Sequence, residues 1–406
     1  MKHAFCMVWI FVLFPSILAS QPQQAEDDLQ RKAVRLAREF IIVDGHVDIP
    51  YRLKNRYEDI SGRTPGGDFD YVRARQGGLD APFMSIYVPS EREDNGAKAL
   101  ADTLINMVYE FQRKWPDKFA VATSVEQVRT NFTKGLISLP MGMENGSPIE
   151  GNVENLKYFH DRGIRYITLT HGKDNHICDS SYDTTRTWKG LSPFGKKVVE
   201  EMNRLGIMID VSHISDDAFY QVIRLSKAPV IASHSSCRAF TPGFERNMSD
   251  EMIKALAKNG GVIMINYGSS FLSKDFLDKE ELVRKDARRY MRDHGLSFGD
   301  PALEAHFSKL REKHDLVNVD ISLVADHIDH VVKLVGIDHV GLGSDFDGVG
   351  PTLPVGLEDA SKLPNLLRLL LRRGYSDEEI KKISGENALR VWSKVEETSK
   401  RLMGMK

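Results

Sequence analysis

Cysteine is scarce in this sequence. Its 406 residues carry three; Cys6 falls in the apolar N-terminal run, which leaves Cys178 and Cys237. So few cysteines exclude a disulfide-stapled scaffold, and without a CxxC spacing a cysteine-built zinc site has no support. One bond between Cys178 and Cys237 in an oxidising compartment, or two buried thiols, both stay open. Excess charge of either sign is also lacking. Lys and Arg number 55 against 57 Asp and Glu, a net charge of −2. Such a balance gives no basic face for nucleic acid. Beyond the N-terminus no apolar run approaches the roughly 20 residues of a membrane helix. The C-terminal Arg401-Leu-Met-Gly-Met-Lys406 has no hydrophobic tail of the kind that precedes a lipid anchor. Short internal repeats are absent.

The one long apolar run, residues 5–18, follows Lys2 and precedes the small residues Ala19-Ser20. That order reads as a secretory signal peptide. Residues 1–20 are therefore expected to be removed and residues 21–406 exported, to a periplasm or outside the cell. An uncleaved N-terminal anchor is the alternative.

What the sequence does contain is an alternation of short apolar runs and amphipathic stretches. Strands are predicted at 40–43, 83–88, 135–139, 166–169, 207–211, 230–233, 262–266 and 339–343. Their unbroken apolar character suits parallel strands buried on both faces. Helices between them have start and stop signals: Asn152 before a helix that stops at Gly163, 194–205 stopping at Gly206, Ser215-Asp216, and Ser249 before a helix ending at Asn259-Gly260. The alternation predicts an α/β fold, and eight such units favour a single-domain (β/α)8 TIM-type barrel with surface insertions over an open doubly wound sheet. Two regions break the rhythm. Residues 89–134 carry a helical pattern over 97–114. Residues 268–320 are highly charged and read as a surface insertion in which His294, His306 and His314 are solvated. A last helix is predicted over 376–399, opened by a capping box at Ser376-Asp-Glu-Glu379.

Polar residues gather where the predicted strands end: His46 and Asp48, then Glu144, His171, His213, His234, Tyr267 and Asp345. In such a barrel the C-terminal strand ends face one mouth. His46 and Asp48, two apart, point the same way on an extended segment. Imidazole with carboxylate suits zinc, although the pair alone could be a hydrogen-bonded core contact. Glu144 stands among glycines, where a carboxylate can approach an ion closely and offer one oxygen to each of two. Alone it could be an ordinary loop glutamate. Val-Ser-His213 and Ala-Ser-His234 end consecutive strands in the same way, which disfavours reading each as a satisfied core histidine. Asp345 ends the last strand, where a general base beside an activated water would stand; Asp347 reads as structural. His171 could be a ligand or an oxyanion partner. Arg246 could pair with a substrate carboxylate, or form a helix-flanking salt bridge.

These elements resemble the membrane (renal) dipeptidase family of amidohydrolase-like barrels, over about residues 44–392. The resemblance rests on Asp44-Gly-His-Val-Asp48, Glu144-Asn-Gly146, Leu169-Thr-His171, Asp210-Val-Ser-His213, Ser233-His-Ser-Ser236, Arg246-Asn247 and Gly343-Ser-Asp-Phe-Asp-Gly348. It implies two zinc ions per subunit: His46 and Asp48 on one, His213 and His234 on the other, Glu144 bridging. It implies hydrolysis of dipeptides by a hydroxide shared between the metals, with Asp345 taking the proton. His171 would contact the substrate, and Arg246 with Tyr267 would hold its free C-terminal carboxylate. Tolerance of a D-residue at that position, some hydrolysis of carbapenem-type β-lactams and a homodimer are further implications. The chain departs from mammalian members in its cysteines and in the segment after His171, and is similar to the bacterial branch. Two glycosylation sequons, Asn145-Gly-Ser and Asn247-Met-Ser, fall at the expected mouth, where a glycan would block access. Another metal-dependent amide or lactone hydrolase on the same barrel, or a non-catalytic binding homologue, are the rival readings.

Overall fold

Ten strands alternate with helices along the chain: β1 (Ile42–Val47), β2 (Leu79–Tyr87), β3 (Phe119–Val121), β4 (Ile137–Leu139), β5 (Met141–Glu144), β6 (Ile164–Thr168), β7 (Met208–Asp210), β8 (Ile231–Ser235), β9 (Val262–Ile265) and β10 (Val340–Leu342). They belong to a computed structural model that describes residues 21–296 and 300–405. The expected signal peptide, residues 1–20, lies outside the described residues.

Eight strands close a parallel barrel in the order β1-β2-β5-β6-β7-β8-β9-β10. Asp44 of β1 meets Leu342 of β10 to complete the ring. β7, β8, β9 and β10 are buried at every position, as expected of parallel strands covered on both faces. Helices surround the barrel as one domain, and the (β/α)8 expectation holds. Ser192, Ser215 and Ser249 each cap a helix by accepting the backbone N–H three residues on. The capping box at Ser376 is formed.

Three expectations need correction. The predicted third strand, 135–139, does not enter the barrel. Its β4 pairs with β3 in a separate two-stranded sheet. Pro140 lacks the N–H a ladder needs and separates β4 from β5, whose Met-Gly-Met-Glu sequence holds no β-branched residue. Gly142 fits there because a Cβ would lie 1.9 Å from the Tyr166 ring. Secondly, the last helix is not continuous. Helix Asp377–Lys381 widens into a π segment at Lys382–Glu386 before helix Asn387–Leu402. At Gly385 a Cβ would come 2.3 Å from the Ile41 carbonyl, so helix and β1 pass with no room for a side chain. Thirdly, the insertion is more than a solvated surface. Helices Lys274–His294 and Pro301–Lys313 share a small core of Phe276, Val283, Ala287, Leu303, Leu310 and Leu316. Only His294 of its three histidines is exposed; His306 stacks on Tyr290 and His314 bonds Asp286 at 2.9 Å.

Cys178 and Cys237 are unbonded and buried. Among the described residues no helix is long and apolar enough to cross a membrane.

Candidate metal centre and cavity

The strand ends deliver the expected residues to one place. Glu144, the last residue of β5, lies at its centre. Its Oε2 is 3.3 Å from Nε2 of His46. Its Oε1 faces the other way, 3.2 Å from Nε2 of His213 and 3.4 Å from Nε2 of His234. Asp48 Oδ2 is 3.4 Å from the same His46 nitrogen. Asp48 also precedes helix Ile49–Asn55, yet its carboxylate makes no capping bond and remains available. Ligand atoms within 4.8 Å of one another form three groups: His46, Glu144 and His234; Glu144, His171 and His213; His46, Asp48 and Asp345.

Neighbouring hydroxyls fix which nitrogen faces inward. Tyr166 donates to the Gly45 carbonyl at 3.1 Å, so its oxygen must accept from His46 Nδ1, 2.8 Å away. That leaves Nε2 turned to Glu144 and Asp48. Likewise Ser233 donates to Asp210 at 2.6 Å and accepts from His234 Nδ1 at 2.7 Å. Asp210 also takes the hydroxyl of Thr168 and the N–H groups of Ser212 and Ser233. The Ser233 hydroxyl thus sets the tautomer of His234, as outer partners of metal ligands do; Ser212 serves differently, accepting the His234 backbone N–H at 3.2 Å and meeting Ser235 Oγ at 3.1 Å.

The residues fit a pair of divalent cations. His46 Nε2 and Asp48 Oδ1 are buried without a hydrogen-bond partner. The Nε2 atoms of His213 and His234 face each other at 2.8 Å, an approach that a shared proton or a shared ion relieves. A nitrogen and oxygen donor set suits zinc. Close approach is secured by Gly348, where a Cβ would lie 2.2 Å from both Asp48 Oδ2 and Asp345 Oδ1. His213 and Asp345 adopt φ of 71° and 61°, conformations that residues with a side chain seldom take.

Electrostatics follow from burial. Desolvation opposes charge on His46, but Tyr166, Glu144 and Asp48 together hold its pKa well above the usual value. Burial also works against the Glu144 carboxylate, while the imidazoles of His46 and His171 hold its pKa well below the usual range. His213 and His234 are pushed well down, first by burial and then by nearby cationic groups. Burial raises Asp345 to about 7, against the pull of His46. A cation beside it would lower that value.

Above the centre opens a cavity of about 690 Å³ whose wall includes Asp48, Glu144, His171, His213 and Asp345. His171 Nε2 lies 3.6 Å from Glu144 Oε1, and its ring meets Tyr87 edge-on at 4.9 Å. Arg246 is only 3% exposed. It donates to Ser235 Oγ at 2.7 Å and to the His234 carbonyl at 2.8 Å, and its Nε has no partner among the described residues. It does not make the helix-flanking salt bridge that was the other reading. Neither Arg246 nor Tyr267 is on the wall of this cavity, and Tyr267 is wholly enclosed. It is 0% exposed, meets Phe346 edge-on at 5.8 Å, and its hydroxyl has no partner. Alternation explains this correction: the preceding Asn266 takes the mouth-facing position and donates to Asp345 Oδ2 at 2.7 Å. Sequence reasoning missed Asn266, Tyr166, and the insertion residues Glu280 and Arg284, which reach the cavity wall. Asn266 lay at the end of a predicted strand, a signal that could have found it.

The Tyr166 hydroxyl carries a direct expectation. Tyr166→Phe leaves His46 Nδ1 unpaired and its ring free to turn, so metal affinity should fall about 10- to 100-fold. Competition titration with a chromophoric chelator measures it; unchanged affinity would contradict this role.

A family model for membrane dipeptidase, peptidase family M19, matches residues 30–405. An uncharacterized dipeptidase of Schizosaccharomyces pombe is 33% identical over 385 residues, covering 91% of this chain and 84% of the relative. Among solved structures, the probable dipeptidase PvdM from Pseudomonas aeruginosa superposes with a TM-score of 0.78 at 28% identity, over 92% of this chain and 99% of that one. A Rhodobacter sphaeroides metallopeptidase, solved with a phosphinate mimic of L-Ala-D-Ala, gives 0.73 at 26% identity, over 88% and 99%. These relatives are fungal and bacterial, so they do not single out a bacterial branch.

Proposed function

Since the chain belongs to the membrane dipeptidase family of metallopeptidases, we propose that it hydrolyses L-Xaa-L-Xaa and L-Xaa-D-Xaa dipeptides with two zinc ions. The observation that carries this reading is the division of Glu144: one oxygen faces His46, the other faces His213 and His234. His46 and Asp48 would hold one ion, His213 and His234 the other, with Glu144 between. Bound there, the pair would supply Lewis acidity and lower the pKa of water to near neutrality.

The chain's own groups would do the rest. Asp345, held by Asn266, would take the proton from the attacking water and deliver it to the leaving amine. His171, whose neutral form burial favours, would face the developing oxyanion. Arg246 would receive the free C-terminal carboxylate. A guanidinium buried with no carboxylate partner among the described residues is unfavourable unless a ligand completes it, and this supports the anchor. The same site would admit a carbapenem-type β-lactam as an amide analogue. Removal of residues 1–20 would leave an exported enzyme.

Zinc-loaded protein should contain two zinc per chain and cleave Gly-Leu, while N-acetyl-Gly-Leu and a simple lactone stay intact. Turnover of the lactone alone would sink the reading. Arg246→Gln should raise KM for Gly-Leu by at least about tenfold, the expected loss of a charge-assisted bidentate pair. An unchanged KM would remove Arg246 from substrate binding.

A further inference from the structure

Outside the metal centre, the cavity wall offers few charges that are free to meet a substrate. Arg52 is committed: its Nε lies 3.2 Å from Asp347 and its Nη1 2.9 Å from Glu58. Helix Lys274–His294 supplies a different kind of pair. Arg284 Nη2 lies 3.0 Å from Glu280 Oε1, one turn away, with side chains 63% and 13% exposed. Both residues line the catalytic cavity and also two adjoining hollows, so the pair stands where three spaces meet. Arg288, exposed one turn further on, lines both hollows and adds charge of the same sign. An exposed ion pair within one helix is weak. A carboxylate arriving in the cavity can therefore draw Arg284 away from Glu280 at little cost.

Barrel order decides which end of a dipeptide Arg284 meets. Arg246 follows β8 and Arg284 follows β9, its neighbour in the ring, whereas Arg56 follows β1, two strands beyond β9. The Arg246 guanidinium carbon lies 5.2 Å over the Phe271 ring, and Phe271 shares the cavity wall with Arg284 and Tyr182. Tyr182 in turn lies 5.9 Å, ring to ring, from His213. The space between anchor and insertion helix is thus the space for the C-terminal residue's side chain.

We propose that Arg284 selects dipeptides whose C-terminal residue carries a side-chain carboxylate, aspartyl or glutamyl. This rests on the orientation above, with the main-chain carboxylate at Arg246. The test compares kcat/KM of the zinc-loaded protein on Ala-Glu and on its neutral isostere Ala-Gln. The Ala-Glu to Ala-Gln ratio should be about tenfold or more, as a charge-assisted bond is lost in the amide. In Arg284→Gln the ratio should fall towards one, and Arg284→Lys should restore part of it. Glu280→Gln removes the internal competitor and should raise the ratio, a gain that misfolding cannot produce. A wild-type ratio near one, or a ratio that survives Arg284→Gln, overturns the inference while leaving the dipeptidase reading in place. Failure to cleave either dipeptide overturns that reading and the inference with it.

Discussion

Glu144→Gln should strip the protein of at least one of the two metal equivalents proposed for it and lower kcat/KM for Gly-Leu by at least about 10³, or ~4 kcal/mol of barrier. The argument is geometric. Both carboxylate oxygens are in use, one towards His46 and one towards His213 and His234. Glutamine keeps one acceptor and turns an amide N–H₂ on the other side, where the imidazole lone pairs already crowd at 2.8 Å. It also removes a negative charge that would offset two dications. Added zinc should then raise the melting temperature of the variant far less than that of the wild type, because stabilisation by a ligand scales with its affinity. Metal content by atomic emission and melting with and without zinc separate this outcome from a folding defect. Two retained equivalents with full activity would end the binuclear interpretation.

Asp345→Asn should leave metal content intact and lower kcat by about 10² to 10⁴, the usual contribution of a positioned acid-base group. The amide has the carboxylate's shape and can still meet Asn266, so KM should move little. The pH profile gives a sharper reading. Burial, aided by the Asp48 and Glu144 carboxylates beside it, raises the Asp345 carboxyl to about 7, and bound cations would pull it below that. A general base works when deprotonated, so activity should be lost as pH falls through that lowered value. The variant's residual activity should lack this acid limb. If the limb persists unchanged in Asp345→Asn, another group takes the proton.

Much of this centre could be read in the sequence because its ligands sit where apolar strands stop. Ser-His213 and Ser-His234 end consecutive strands, and that equivalence survives folding as a real adjacency. His46 and Asp48 kept their common direction. Three features were hidden for physical reasons. β5 could not be recognised because Gly142 and the absence of β-branched residues erase the strand signature, while 135–139 imitates one and pairs elsewhere. The choice between Asn266 and Tyr267 depends on the phase of alternation at the strand end, which a one-residue error inverts. Glu280 and Arg284 sit on a helix whose sequence reads as solvated, and only tertiary packing of the insertion brings them over the mouth.

Asn145 and Asn247 have a further bearing on how such a chain can be made. Both are buried, and their amide nitrogens are already spent, on the Val88 carbonyl at 2.8 Å and the Phe271 carbonyl at 2.7 Å. An oligosaccharide attached to either nitrogen during synthesis would take one of its two N–H groups and, at a buried side chain, have no volume to occupy. In a host that glycosylates nascent secretory chains, the yield of native protein would then be set by a race between closure of the barrel and the transferase.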